Sequence, residues 1–329
     1  MTHNSTLTRL QGVLVGHHSL GERPTGCTVV ICPDGTVGGV EVRGAAPGTR
    51  ETDLLAPHNT VPHVHAVLLS GGSAFGLDAA SGVMKWLEQH GHGFPVGPVR
   101  VPIVPAAVIF DLGVGEPRIR PDLTSGWMAC EAASSAPVSL GNVGAGSGAT
   151  VGKVFGPHLA MKGGIGSAAL TVGGVTVAAL VVVNALGDVV NPKNGRILAG
   201  ARTTASGLTL QDTVNSLVQG ASTGALSTGG NTTIGVLATD AVLSKSQAHR
   251  LAQMGHNGLA QTIRPVHTPW DGDTLFALAT GKSGVPADMM LLSTLATEVT
   301  ALAVLSAVAS AESLRLTSGE WWPSARDLK

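Results

Sequence analysis

Two short stretches hold the residues whose types and spacing could do chemistry: Asn231-Thr232-Thr233, at the mouth of an apolar run, and Asp271-Gly272-Asp273 further along. A threonine hydroxyl is a poor nucleophile without a base. If the Asn231–Thr232 bond were cut, Thr232 would carry both, because an α-amino group titrates near ~7.7–8.0 and is partly neutral at physiological pH. The preceding Ser227-Thr228-Gly229-Gly230 suits such a cut, since glycine tolerates the strained backbone that exposes a scissile carbonyl to an N-to-O acyl shift. Two carboxylates at i and i+2 of an extended chain point the same way, and one could orient a hydroxyl or hold an ammonium group. Each stretch also has a plain reading, a glycine turn before β-branched strand formers and a common Asp-Gly turn.

Other motifs fail on inspection. Gly71-Gly72-Ser73-Ala74-Phe75 lacks the second glycine of a serine nucleophile elbow. The stretch GNVGAGSGATVGK would need glycine at Ser147 and a hydroxyl residue at Val154 to be a phosphate loop. Read as a dinucleotide loop through Gly144, Gly146 and Ala149, it lacks the acidic residue expected ~20 positions on. His63 with His65 and His90 with His92 have the spacing of paired metal ligands, but no nearby Asp, Glu or Cys completes either set. The three cysteines, Cys27, Cys32 and Cys130, form no CxxC and read as small buried hydrophobes in a reducing compartment. No cofactor and no metal are expected.

Composition narrows the partners. With a net charge of −1 and 12% charged residues spread along the chain, there is no basic footprint for nucleic acid. Small neutral substrates and apolar partners fit better. The N-terminal MTHNSTLTRLQGVLVGHH lacks the basic start and apolar core of a secretory signal, so a cytoplasmic location is expected and glycosylation at Asn231 is not. Two apolar runs, residues 163–187 and 289–311, have membrane-like length; the first is broken by a Gly173-Gly174 hairpin signal and the second carries Glu298, so no membrane insertion is expected.

The elements that must position the two stretches are legible from periodicity. Strands are expected over residues 28–31, 65–69, 170–172, 175–183, 233–238 and 274–279, and helices after Gly71-Gly72, after an N-cap at Ser244, and from residue 287 onward. Strands and helices interleave, and the two-residue glycine turns favour antiparallel pairs, which predicts a layered α/β or α+β sandwich. The 45 glycines and 3% aromatics, with no tyrosine, imply a core of small aliphatic side chains crossed by tight turns. No seam is long or charged enough to be a linker, so one domain over residues 1–329 is expected.

Several ordered motifs together resemble a known family. GGNTTIGVLATDA and IRPVHTPWDGDTLFALATG, with RPTGCTVV, LLSGGSAFGLDAASGVMKWLE, VPAAVIFDL, GAGSGATVGKVFG and VVVNALGDVV, resemble the self-cleaving aminopeptidases and amidases, which include the D-aminopeptidases, the β-aminopeptidases and the nylon-oligomer endohydrolases. The resemblance covers nearly the whole chain and lies nearest the nylon-oligomer branch, whose scissile bond is also Asn-Thr. It implies an α+β fold, a four-layer α/β/β/α sandwich of the N-terminal-nucleophile type. It further implies a precursor cut into 1–231 and 232–329, and a homo-oligomer such as a tetramer.

By the same matching, Thr232 is the nucleophile that cutting frees, and Lys153 in VGKVFG is a cation that holds the Thr232 amine neutral. Asn184 in VVVNALG donates to the oxyanion, and Asp271 and Asp273 hold and polarise the threonine. Gly71, Gly72 and Ser73 are expected at the substrate pocket together with Phe110. Two positions depart from the pattern. Phe110 stands where the family has a tyrosine, and Val108 is apolar where some aminopeptidases hold the substrate ammonium. The expected substrate is a linear amide bond in a small peptide, a β-peptide or a nylon-type oligomer, and the apolar Val108 leans toward amides without a free amine at the cleaved residue. The alternatives are an acyltransferase of the ornithine acetyltransferase type, which also cuts itself before threonine, and an uncleaved, non-catalytic homologue.

Overall fold

The computed structural model describes residues 4–224 and 230–328. Its frame, among the described residues, is a nine-stranded mixed sheet. In chain order the strands and main helices are β1 (Leu14–Ser19), β2 (Gly26–Val42), β3 (Thr49–Arg50), β4 (His63–Ser70), α1 (Ala79–Gln89), β5 (Ala106–Val108), α2 (Leu123–Glu131), β6 (Gly164–Val172), β7 (Val175–Asn184), β8 (Thr232–Thr239), α3 (Lys245–Thr262), β9 (Thr274–Ala279) and α4 (Met289–Ser310). The strands pair in the order β6-β7-β8-β9-β2-β4-β5-β3, with β1 also on β2.

Strand β2 joins the two halves of this sheet. Its first part pairs with β1 and β4, and its last part, from Val37 to Val42, pairs with β9; the register shifts between Ile31 and Thr36. A register shift of this kind bends a strand and increases its twist. The two halves stack, as the alternation of side chains shows. Ala178, Leu180 and Val182 of β7, with Ile234, Val236 and Ala238 of β8, share one core with Val30, Val67 and Leu69. The intervening Val177, Ala179, Val181 and Val183 face the opposite way, into a second core with α3 and α4. Cys27, Val29 and Ile31 of β2, with Ala66 and Leu68 of β4, face a third core under α1 and α2. A period of two thus feeds both faces of each sheet half, and the result is the α/β/β/α layering.

Small residues set the layer spacing. A Cβ at Gly166 of β6 would lie 2.2 Å from the Ala303 carbonyl of α4, so the helix rides directly on the strand backbone. Helix α4 is apolar all round because it packs on β6, β7 and α3; it is long and apolar enough to cross a membrane, and 61% of its apolar window is buried in the fold. The Gly173-Gly174 turn is the expected two-residue hairpin, both glycines at positive φ (60° and 80°). Ser244 caps α3 through a capping box with Gln247.

All the expected strands and helices form, and several further elements appear. The expected first helix opens as a 3-10 turn over Ser73–Asp78 before α1 begins. Residues 94–101, within the proline-rich run FPVGPVRVPIVP, form a small hairpin, Phe94–Val96 with Val99–Val101, leading into β5. Helix α2 carries Thr124, Ser125 and Gly126, weak helix formers that hide its periodicity; its start is fixed by Asp122, whose carboxylate accepts the Ser125 amide.

Candidate active site

Sheet topology brings the chemistry together. Strand β8 runs antiparallel to β7 and parallel to β9, so the end of β7 and the starts of β8 and β9 lie at one edge. Asn184, the last residue of β7, is the register partner of Thr232, the first of β8. Asn231 bridges in parallel to Asp271, just ahead of β9. Residues far apart in sequence are therefore neighbours because three strands begin or end there.

The Thr232 side chain is buried, and its hydroxyl donates to the carbonyl oxygen of Asn231, the residue it follows. The backbone N–H of Gly272 donates to the same oxygen at 3.0 Å. Only glycine fits there, since a Cβ at residue 272 would lie 2.6 Å from the Ala46 carbonyl oxygen and 3.1 Å from the Thr232 hydroxyl. The Asn231 carbonyl is thus held between a hydroxyl and an amide donor. Of the Ser-Thr-Gly-Gly stretch before it, only Gly230 is among the described residues; the expectation for 227–229 lies outside them.

Lys153 and Asn184 form the next ring. The Lys153 ammonium donates to Asn184 Oδ1 at 2.9 Å, to the Asn184 carbonyl at 3.0 Å and to the Gly230 carbonyl at 3.4 Å. Burial of this ammonium lowers its pKa to about 7, against the opposing pull of Asp271 and Asp111. Asn184 is fully buried; its Oδ1 also accepts the Thr150 N–H, and its Nδ2 donates to the Phe110 carbonyl at 3.1 Å. Among the described residues the second Nδ2 hydrogen has no acceptor.

The two aspartates hold the backbone around Thr232. Asp273 Oδ1 accepts the N–H of Thr233 at 2.6 Å, and Oδ2 accepts from the backbone and ring of His267 at 3.1 and 2.8 Å. Asp271 Oδ2 accepts the Thr268 amide and hydroxyl at 2.9 and 2.6 Å, closing a tight turn. In the uncut chain neither carboxylate hydrogen-bonds the Thr232 hydroxyl; they hold the backbone on either side of it. Burial, then the neighbouring Asp273, raises the Asp271 pKa to about 6. His267, which the sequence did not single out, sits at φ +55°, a conformation costing a non-glycine residue about 1–3 kcal/mol, and Asp273 anchors it there.

A cavity of about 330 Å3 opens beside this edge, walled by Phe110, Asp111, Lys153, Asn231 and Trp322 among others. Phe110 is part of this wall. The Gly71-Gly72-Ser73 turn does not line the cavity, which corrects the expectation: it packs behind the wall, where the Gly72 amide donates to Asp111 Oδ1 at 2.9 Å. A Cβ at Gly71 would meet Asp111 Oδ2 at 2.3 Å, so the turn presses on that carboxylate. Asp111 also pairs with Arg23 at 3.0 Å, both side chains fully buried, and accepts the Thr25 hydroxyl at 2.6 Å. This brace sets the Phe110-Asp111 wall. Its members stand in RPTGCTVV and VPAAVIFDL, but nothing in the sequence pairs an arginine with an aspartate 88 residues away.

A second lysine supports the site from behind. Lys162 is fully buried and donates to the carbonyls of Gly146, Ala149 and Gly163, tying down the turn that delivers Thr150 to Asn184. Burial lowers its pKa to about 7 as well. Among the described residues no three His, Cys, Asp or Glu side chains gather as a metal set.

Comparison with known proteins decides the family, since the model of Peptidase family S58 matches residues 5–321. The chain belongs to peptidase family S58. Among its family S58 relatives, an uncharacterized aminopeptidase of Mycobacterium tuberculosis (strain H37Rv) is 47% identical over 320 residues, covering 93% of this chain and 90% of that protein. The 6-aminohexanoate-oligomer endohydrolase of Paenarthrobacter ureafaciens is 31% identical over 279 residues, covering 84% and 75%. In fold it matches the L-aminopeptidase D-Ala-esterase/amidase from Ochrobactrum anthropi, described as a variant of the Ntn hydrolase fold, at a TM-score of 0.74 and 18% identity over 98% of this chain and 91% of that one. A Burkholderia β-aminopeptidase matches at a TM-score of 0.72 and 21% identity over 99% and 92%. As a family S58 member, the chain is a hydrolase acting on amide bonds.

Proposed function

We propose that this enzyme is an N-terminal-nucleophile amidohydrolase that activates itself by cutting Asn231–Thr232. The observation that carries the reading is the Thr232 hydroxyl lying on the carbonyl of its own preceding residue, with the Gly272 amide on the same oxygen. In the first step the Thr232 oxygen attacks the Asn231 carbonyl carbon and the C–N bond breaks, giving an ester and a free α-amine. Water then hydrolyses the ester, leaving the Asn231 carboxylate and the Thr232 hydroxyl.

In the uncut chain the Thr232 nitrogen is an amide and has no basic lone pair, so the proton must go elsewhere. We assign this role to Lys153, whose ammonium is lowered to about 7 and bonds the Gly230 carbonyl beside the scissile bond: its neutral form takes the hydroxyl proton and returns it to the Thr232 nitrogen as the C–N bond breaks. After cutting, the amine of Thr232 takes over as base for turnover. A substrate carbonyl then sits where the Asn231 carbonyl was, facing the Gly272 N–H and the free Nδ2 hydrogen of Asn184. Oxyanion donors of this kind are commonly worth ~3–4 kcal/mol. The substrate is a linear amide or small peptide, in keeping with the names of the relatives above.

Intact mass of the purified protein tests the reading. Fragments 1–231 and 232–329 are expected, and Thr232→Ala should remain one chain and hydrolyse nothing. A wild-type chain that stays whole after long incubation overturns it. Release of free acid without added amine separates hydrolysis from acyl transfer.

A further inference from the structure

The cavity at Asn231 does not end at its own wall. It adjoins a second cavity of about 510 Å3, with Gly113, Pro157 and Trp322 lining both, and the two are taken together as a groove that leads away from Thr232. The far part is built by the hairpin Leu314–Arg315 with Trp321–Trp322. Trp322 is buried against Val114 and Ala160, which fixes it as the apolar floor where the two parts meet. An extended chain lying in the groove would pass from the reacting carbonyl over this floor.

Two arginines lie against the Trp321 ring at the far end. Arg202 is fully buried, and among the described residues its guanidinium is held by carbonyls, those of His158, Leu159, Ala205 and Gly207. Its carbon lies 5.3 Å from the Trp321 ring centroid. Arg315, exposed at the rim, lies 5.2 Å from the same centroid. Among the described residues neither arginine has a carboxylate within ion-pair distance. The one acidic residue on this wall, Glu320, keeps its charge but accepts from the Ser318 hydroxyl and makes no ion pair with Arg315. Nearer the nucleophile, Asp111 is paired with Arg23, so the groove offers an ammonium no unpaired acid there, while its distant wall carries Arg315 without a carboxylate partner among the described residues.

We propose that this groove is a subsite for the carboxylate-bearing end of a linear amide, with the carboxylate on Arg315 beside Trp321 and the chain body over Trp322. The proposal rests on Thr232 being the reacting group, which fixes which end of the groove is the near one. An arginine whose guanidinium has no hydrogen-bond partner among the described residues and is steadied over an aromatic ring is suited to take a carboxylate bidentately.

The test is calorimetric binding to the enzyme as purified. The probe is an uncleavable ketomethylene isostere of a linear aliphatic oligoamide, once with a terminal carboxylate and once capped as the primary amide. The carboxylate form should bind about tenfold tighter, a difference of about 1.4 kcal/mol. In Arg315→Gln that preference should fall below about threefold, and high salt should weaken it in the wild type. Equal binding of the two probes by wild type, or a preference that survives Arg315→Gln, overturns the subsite. Because binding is read without turnover, the two readings fail separately: a carboxylate preference in a chain that never cuts itself sinks the nucleophile, and cutting without the preference sinks the groove.

Discussion

Thr232 and Gly272 meet on one oxygen: the hydroxyl of the first and the backbone amide of the second both donate to the carbonyl of Asn231. An amide aimed at the oxygen where charge develops needs no reorganisation when the bond is attacked. A methyl group at residue 272 would lie 2.6 Å from the Ala46 carbonyl and 3.1 Å from the Thr232 hydroxyl, so the loop must shift and the donor with it. Gly272→Ala is expected to slow precursor cutting by roughly 10²–10³-fold, followed as the appearance of two bands on a denaturing gel. Cutting at the wild-type rate would remove Gly272 from the mechanism.

The pH dependence of cutting reports the Lys153–Asp271 pair. The negative charge of Asp271 raises the Lys153 pKa, opposing the larger effect of burial. Asp271→Asn keeps the shape of the Thr268 turn and removes that charge, so Lys153 should lose its proton at lower pH. The acid limb of the cutting rate, expected near pH 7 in wild type, should therefore move to lower pH in the variant. An unmoved limb would show that Lys153 is not the base.

Burial of two lysines also shapes stability. Lys153 and Lys162 are lowered from 10.5 to about 7, so above pH 7 the folded chain has released protons that the unfolded chain still binds. Stability must then rise with pH, by at most about 1.4 kcal/mol per unit for each lysine. The window closes near pH 9, where the thiols of Cys27, Cys32 and Cys130, raised by burial, begin to be lost in the unfolded chain only and reverse the slope. Urea midpoints between pH 7 and 8.5 should climb, and Lys162→Met should roughly halve the climb. A flat profile in wild type would mean that neither lysine is neutralised by folding.

Breaking the brace behind the cavity should be costly. Arg23→Met leaves Asp111 buried without its cation, held only by Thr25 and the Gly72 amide, and about 3–5 kcal/mol of stability should be lost. Arg23→Met with Asp111→Leu should recover much of it, since an apolar pair avoids the stranded charge. Denaturant midpoints of the two variants decide this; a double variant no better than the single would mean that the pair fixes the wall by shape rather than by charge.

The sequence by itself determined the strands and helices that carry the site. Alternation in residues 175–183 and 233–238 marked strands with two buried faces, and the Ser244 cap marked the helix that returns the chain to β9. These signals are local, because periodicity and capping act over a few residues. Sequence also picked out Thr232, Asn184, Lys153 and the two aspartates, since family motifs record residue type at each position. Only the tertiary structure decided what those residues touch. Asp271 and Asp273 hold backbone beside Thr232, not its hydroxyl, because register puts their carboxylates against Thr268, His267 and the Thr233 amide. The Gly71-Gly72-Ser73 turn went behind the cavity because the Asp111 carboxylate, fixed by Arg23, stands between. Gly272 acts through a backbone amide, and a backbone group has no letter in the sequence; only the meeting of three strand ends aims it at the Asn231 carbonyl.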